Sequence, residues 1–68
     1  MKTYQIFLYD KHVRTNYIEL VEQAENQLDF YANLKQNKDL VIEITRKFRY
    51  AKKLDDIING NFYEINIL

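Results

Sequence analysis

The chain of 68 residues contains no cysteine, serine, proline or tryptophan, and it has one glycine and one histidine. Without cysteine there is no disulfide. Without serine or cysteine, nucleophilic catalysis would depend on a threonine or a carboxylate. A single glycine excludes a glycine-rich phosphate-binding loop. A domain this short and without disulfides depends on apolar packing or on a partner chain for its stability.

The residues that could perform catalysis are few and poorly placed. His12 lies in a polar segment, DKHVRT, where we expect a solvated surface side chain. Asp55 and Asp56 are adjacent, so on a helix they point apart and do not form a carboxylate pair for acid–base chemistry. We therefore expect a protein that is not an enzyme, with no metal, no cofactor and no small-molecule substrate.

Long apolar runs are also absent. No segment of about 18 apolar residues is present, which excludes a membrane-spanning helix. The beginning of the sequence, MKTYQIFLYDK, has no small-residue cleavage site of the kind found in secretory signals. We expect a cytoplasmic protein that does not contact a membrane.

The composition is biased toward residues with AT-rich codons. Phe, Tyr, Met, Ile, Asn and Lys total 33 residues, whereas Gly, Ala, Arg and Pro total 7. This bias indicates an AT-rich genome, such as that of a low-GC bacterium, a phage or a plasmid.

Charge is balanced overall, with ten basic and ten acidic residues, but it is unevenly distributed. Residues 46–53, RKFRYAKK, carry five positive charges with two aromatic residues between them. Basic side chains neutralise phosphates and aromatic rings stack on unpaired bases, so this basic strip could bind nucleic acid. The alternative is a solvated surface whose aromatic residues belong to the core. The candidate nucleic-acid contacts are Arg46, Lys47, Arg49, Lys52 and Lys53.

Residues 3–9 alternate as a strand, with Tyr4, Ile6 and Leu8 on one face. Residues 16–36 show a helical stripe, and Asn16 followed by Glu19 is typical of a helix start. Two apolar residues, Ile18 and Phe30, lie off that stripe. A second interpretation therefore stays open, in which residues 13–21 return as a hairpin strand and the helix begins near residue 24. The stripe consists of Tyr17, Leu20, Val21, Ala24, Leu28, Tyr31 and Leu34.

The second half of the chain contains three shorter elements. Residues 39–45 alternate as a strand with Leu40, Ile42 and Ile44 toward the core, and the same parity continues through Phe48 and Tyr50. Residues 51–59 could form two helical turns, which end at Asn59-Gly60 because glycine tolerates positive φ. Residues 62–67 form a last strand, expected at a sheet edge.

These elements predict a single compact α+β domain spanning residues 1–68. The sheet has three or four mostly antiparallel strands, with one main amphipathic helix packed on one face.

The other face of this sheet would carry exposed aromatic residues, and exposed apolar patches mark interaction sites. Alternatively, the short helix 51–59 covers them. We expect contact with another protein through this face or through the edge strand, and the simplest case is a homodimer. The expected protein-binding residues are Phe7, Tyr9, Phe62 and Glu64. An accessory or inhibitory protein of a phage or mobile element fits this combination of features.

A third hypothesis concerns acidic residues in segment 16–36. On a helix they would share one face, which could mimic phosphates and compete for a basic groove on another protein. A metal site there is not expected, because one convex helix face supplies too few oxygen ligands. The acidic residues are Glu19, Glu22, Glu25 and Asp29.

Overall fold

A computed structural model describes all 68 residues and shows a three-stranded antiparallel sheet with helices on one side. The predicted α+β class is confirmed, although two main helices stand where one was expected. In chain order the elements are β1 (Lys2–Tyr9), β2 (Tyr17–Ala24), α1 (Gln27–Gln36), α2 (Lys38–Lys47), α3 (Leu54–Asn59) and β3 (Tyr63–Ile67).

The central strand of the sheet is β1, and both of its neighbours are antiparallel to it. The strand order is β2-β1-β3. In the middle of the sheet, Ile6 is paired with Leu20 of β2 and with Ile65 of β3. β2 and β3 are therefore the two edge strands, as expected for the terminal strand.

Alternation along β1 separates the two faces of the sheet as predicted. Tyr4, Ile6 and Leu8 are buried against the helices, on what we call the covered face. Phe7 and Tyr9 point to the opposite side, the open face, and are only half-buried. Successive side chains of a strand point in opposite directions, so one residue of register decides which side chains enter the core.

The long helix predicted over residues 16–36 is wrong, and the second interpretation is close to the structure. Residues 17–24 form β2, which pairs with all eight residues of β1. The residues that did not fit the helical stripe explain why: Ile18 and Phe30 are both buried, whereas Leu28, on the stripe, is 78% exposed. A hairpin pairs the backbone groups with which β1 and β2 face each other, and it buries Ile18 on the covered face.

The helix in this region begins ten residues later than predicted, at a different asparagine. Asn26 is the N-cap of α1, and its side-chain oxygen accepts a hydrogen bond from the Asp29 N–H at 2.8 Å. Asn16 lies instead in the hairpin loop, where its amide donates to the carboxylate of Asp10 and to the carbonyl of Lys47. Both asparagines can cap a helix, and the pairing of β2 decides which one does.

The strand predicted over residues 39–45 is also wrong, because this segment belongs to α2. Asn37 ends α1 and caps α2, with its side chain accepting from the Leu40 N–H at 3.1 Å. Leu40, Ile44 and Phe48 are buried at a spacing of four residues, which keeps them on one face of a helix with a period of about 3.6 residues. Ile42, predicted to be core, is 53% exposed. The alternation of 40, 42 and 44 matched a strand, but burial follows 40, 44 and 48.

The short helix α3 ends at Gly60 as predicted, but not for the predicted reason. Gly60 has φ −82°, and Asn61 is the residue with positive φ, at 62°. A Cβ on Gly60 would lie 2.7 Å from two ring atoms of Phe62. Glycine is therefore required here for close packing and not for its conformational freedom.

One cluster of thirteen buried residues joins the covered face to all three helices. No buried residue is polar or charged. The prediction that Phe48 is core is confirmed, although Phe48 follows a helix and not a strand. The cluster consists of Tyr4, Ile6, Leu8, Ile18, Ala24, Phe30, Leu34, Leu40, Ile44, Phe48, Ala51, Leu54 and Ile57.

Candidate protein-binding surface

All three helices lie on the covered face, so no second layer packs on the open face. Leu54 and Ile57 of α3 belong to the same core cluster as Ile6. The alternative in which segment 51–59 folds over Phe7, Tyr9 and Phe62 is therefore wrong for Phe7 and Tyr9, whereas Phe62 packs against the core cluster.

Three aromatic rings gather on the open face at the end near the hairpin loop. The ring centroids of Phe7 and Tyr9 are 6.2 Å apart, and those of Phe7 and Tyr17 are 5.9 Å apart with an edge-on orientation. Tyr9 and Tyr17 complete the triangle at 6.3 Å. We call Phe7, Tyr9 and Tyr17 the aromatic cluster. Their mutual contacts hold the rings in place, while Tyr17 remains 44% exposed.

A cation from the hairpin loop already occupies part of this cluster. The guanidinium carbon of Arg14 lies 5.5 Å from the centroid of the Tyr9 ring, within the range of a cation–π interaction. One ring of the aromatic cluster, that of Tyr9, is thus already in contact with a guanidinium group of the same chain.

A row of polar side chains crosses the same face beside the aromatic cluster. The Gln5 amide donates to Glu19 at 2.8 Å, and the Asn66 amide donates to Gln5 at 3.3 Å and to Glu64 at 3.2 Å. In the register of the sheet, Glu19 and Glu64 stand directly opposite Phe7 on its two sides. The open face therefore combines aromatic rings with two carboxylates.

Of the expected protein-binding residues, the structure brings Phe7, Tyr9 and Glu64 together on the open face. Phe62 is not part of the aromatic cluster: its ring packs edge-on against Tyr50 at 5.7 Å and against the core. Tyr17 takes its place, and sequence reasoning missed it because the helical stripe assigned Tyr17 to the core. The signal that could have identified Tyr17 was the strand interpretation of residues 13–21.

The contact between the rings of Phe62 and Tyr50 lies beside Tyr9, at the end of β1. The Phe62 N–H bonds to the carbonyl of Ile57, which leaves the Tyr9 carbonyl without its ladder partner. The Tyr50 hydroxyl donates to that Tyr9 carbonyl at 2.9 Å. Burial, followed by the negative charges of Asp10 and Asp56, raises the pKa of Tyr50, so the phenol stays protonated as a donor.

Two carboxylates at the surface organise loops and do not form a reactive pair. The N–H of His12 and the amide of Asn16 lower the pKa of Asp10 by hydrogen bonding to its charged form. The N–H groups of Lys52 and Lys53 donate to Asp56 and lower its pKa in the same way.

The basic strip divides between a helix end and a loop. Arg46 and Lys47 end α2, and the other three cations follow in the loop before α3. Lys47 is held by the sheet, since its ammonium donates to the carbonyl of Tyr17 at 2.8 Å. The aromatic residues of the strip do not line up with its cations, because Phe48 is buried and Tyr50 is bonded to Tyr9.

The four acidic residues of the third hypothesis do not share a face. Glu19 lies on the open face and Glu22 alternates to the other side of β2. Glu25 lies in the turn before α1, and Asp29 is in the first turn of that helix. The predicted acidic helix face does not exist, because the segment that would carry half of it is a strand.

Other functional groups are sparse. His12 is exposed in the hairpin loop as predicted. No group of three or more potential ligands is close enough together to hold a metal ion. None of the three helices has both the length and the apolar character needed to cross a bilayer.

The chain was compared with known proteins by sequence and by structure. No protein-family model, no curated protein and no solved structure gives a significant match.

Proposed function

We propose that this is a small non-catalytic module that binds another protein through the open face of its sheet. The observation that carries the proposal is the aromatic cluster, which lies on a sheet face without any covering layer. Exposed apolar patches of this kind are typical of interaction sites, and tyrosines and other aromatic residues contribute much of the binding energy at interfaces.

The charges of the open face favour a basic partner. Glu19 and Glu64 flank Phe7, and the cluster already accommodates the Arg14 guanidinium. Arginine or lysine side chains of a partner could lie over the rings and pair with the two carboxylates. The same carboxylates oppose phosphates, which disfavours binding of nucleic acid at this face.

The biological setting that we propose follows from composition. The AT-rich codon bias, the small size and the scarcity of catalytic residues fit a cytoplasmic accessory or inhibitory protein of a phage or mobile element. Such a protein would act by occupying a surface of its partner.

A peptide-display selection would test binding at the open face. Random peptides displayed on phage would be selected on the wild-type protein and then challenged with the Phe7→Ala/Tyr9→Ala variant. We expect enriched peptides with basic and apolar residues that lose at least tenfold in affinity on the variant, because two of the three rings are removed.

A matched control is Leu28→Ala, which removes a 78% exposed apolar side chain on α1, away from the open face. This variant should bind the selected peptides like the wild type. Circular dichroism and amide NMR spectra would check that each variant folds. Peptides that bind the double variant as tightly as the wild type would contradict the proposal, and unfolding of the double variant would show that Phe7 and Tyr9 are structural.

A second candidate function is nucleic-acid binding by the basic strip. The observation in its favour is that none of its five cations forms a salt bridge, since the single ion pair of the chain joins Lys35 to Asp55 at 3.3 Å. It predicts a complex with short DNA or RNA whose affinity falls steeply with salt. Neutralising Arg46 and Arg49 together should then flatten the salt dependence. Binding that is insensitive to salt would exclude this function.

A further inference from the structure

The outer edge of β3 has backbone groups with no hydrogen-bond partner. The Tyr9 N–H bonds to the Phe62 carbonyl, and the Leu68 N–H bonds to the Thr3 carbonyl. Backbone groups alternate in direction along a strand, so Glu64 and Asn66 also point toward β1. Tyr63, Ile65 and Ile67 point outward, and no hydrogen bond within the chain uses these outward groups.

The sequence of β3 is complementary to itself in the antiparallel direction. When Ile65 is placed opposite Ile65 of a second copy, Tyr63 is opposite Ile67 and Glu64 is opposite Asn66. The apolar pairs would lie on the covered side of both sheets, where Ile67 is now 62% exposed. The carboxylate and amide pairs would lie on the open side. The three outward residues of each strand would form about six new hydrogen bonds.

Neighbouring registers are poorer. A shift that places Tyr63 opposite Ile65 brings Glu64 directly opposite Glu64 of the second copy, and like charges in that position destabilise a sheet. A shift in the other direction, with Ile65 opposite Ile67, brings Asn66 opposite Asn66 and moves Tyr63 out of register with the partner's β3, which spans Tyr63–Ile67. The arrangement centred on Ile65 is the one that uses the whole strand.

The other edge of the sheet is protected. The Lys47 ammonium bonds to the outward carbonyl of Tyr17, and a lysine at an edge is a common barrier to strand pairing. β2 also carries two glutamates, Glu19 and Glu22, and no basic residue. Two copies of β2 side by side would therefore carry two carboxylates on each face of the sheet, with no basic residue of either strand to pair with them.

We propose that two copies of the chain join through β3, in the antiparallel register centred on Ile65, to form one continuous six-stranded sheet. This dimer goes beyond binding at the open face and does not depend on it. A second copy of the chain is the partner that fits this edge. Two β3 strands side by side supply both the apolar pairs and the carboxylate–amide pairs of the interface.

The dimer would place two aromatic clusters on the same side of one sheet. β1 of one copy would be three strand spacings from β1 of the other, and the register offsets the two Phe7 residues by two positions. With ordinary strand spacings, the two Phe7 residues would be about 16 Å apart, and Tyr9 and Tyr17 of each cluster would lie farther from the twofold axis. A partner with two matching segments would bind such a surface bivalently.

Sedimentation equilibrium over a concentration series tests the dimer. The wild type should show twice the monomer mass at high concentration. Asn66→Glu places carboxylates opposite each other at two positions, because of the twofold axis, and should weaken dimerisation about tenfold. Val21→Glu adds the same charge to the other edge strand, on the same face, and should leave dimerisation unchanged.

The double variant Glu64→Lys/Asn66→Glu tests the register. In the proposed arrangement the new ammonium is opposite the new carboxylate at both positions, so dimerisation should recover to at least the wild-type level. In a register that sets position 64 against itself, the double variant would bring two ammonium groups together and would not recover. Amide NMR spectra would verify that each monomer folds.

Three results would overturn this proposal. They are a wild type that stays monomeric up to about 1 mM, an Asn66→Glu variant that dimerises like the wild type, and a double variant that fails to recover. The Phe7→Ala/Tyr9→Ala variant should dimerise normally, since its substitutions lie on the open face. Loss of peptide binding and loss of dimerisation are therefore separate outcomes.

Discussion

The two faces of β1 differ although they alternate residue by residue along the same strand. Tyr4, Ile6 and Leu8 are buried beneath three helices, whereas Phe7 and Tyr9 are equally apolar and remain half-exposed. Hydrophobicity alone does not separate these two sets. Their position relative to the helical layer does, and an apolar residue that no layer covers is available to a partner.

Substitution of neighbouring residues on β1 would give the largest contrast between the faces. Ile6→Ala should lower the free energy of unfolding by about 2–5 kcal/mol, because Ile6 is fully buried and its loss leaves a cavity. Phe7→Ala should cost about 1 kcal/mol or less, because Phe7 contacts only neighbours on its own face. Urea unfolding of both variants would check this. Equal losses would mean that the open face is part of the core.

The same contrast can be tested on α2, where the sequence pattern favoured a strand. Ile44→Ala should cost about 2–5 kcal/mol because Ile44 is fully buried. Ile42→Ala should change stability by about 0.5 kcal/mol or less, since that side chain is exposed. Thermal and urea unfolding would distinguish the two. If both variants lost stability equally, the segment would pack as the predicted strand and not as a helix.

A smaller effect is expected at the hydrogen bond between Tyr50 and Tyr9, which connects the segment between α2 and α3 to the end of β1. Tyr50→Phe removes the hydroxyl that donates to the Tyr9 carbonyl and should cost about 1 kcal/mol near neutral pH. The pKa of Tyr50 is raised in the folded protein, so its contribution is present below pH 10 and is lost as the pH rises through the folded value. The difference between wild type and variant should therefore shrink in alkaline solution. A difference that stays constant with pH would contradict this role.

The smallest effect is expected at the start of α3, which carries Leu54 and Ile57 onto the covered face. The hydrogen bonds that Asp56 accepts lower its pKa below 3.8. Its contribution is present above that value and is lost as the pH falls through the lowered pKa of the folded state. Asp56→Asn should be less stable than the wild type at neutral pH, and the two should converge in acid. Unfolding midpoints measured between pH 7 and about pH 2 would show whether they do.

Sequence patterns predicted the parts of the fold that depend on local alternation. β1, β3 and the end of α3 lie where they were expected, and Phe7, Tyr9 and Glu64 lie on the face that was expected to be open. Segments 17–24 and 38–47 were assigned to the wrong element, since short apolar runs fit both periods. Tyr17 was missed as a consequence, and Phe62 was misplaced because its ring turns toward Tyr50.

The sequence by itself determined the α+β class, the alternation of β1 and the scarcity of catalytic groups, because each follows from residue type and spacing along the chain. Only the tertiary structure decided that residues 17–24 pair with β1. It also decided that Leu40, Ile44 and Phe48 are buried together in the core, and that all three helices cover the same face of the sheet. These choices depend on contacts between segments distant in sequence. The free energy of burial is shared across the whole core, so no single segment determines its own partner.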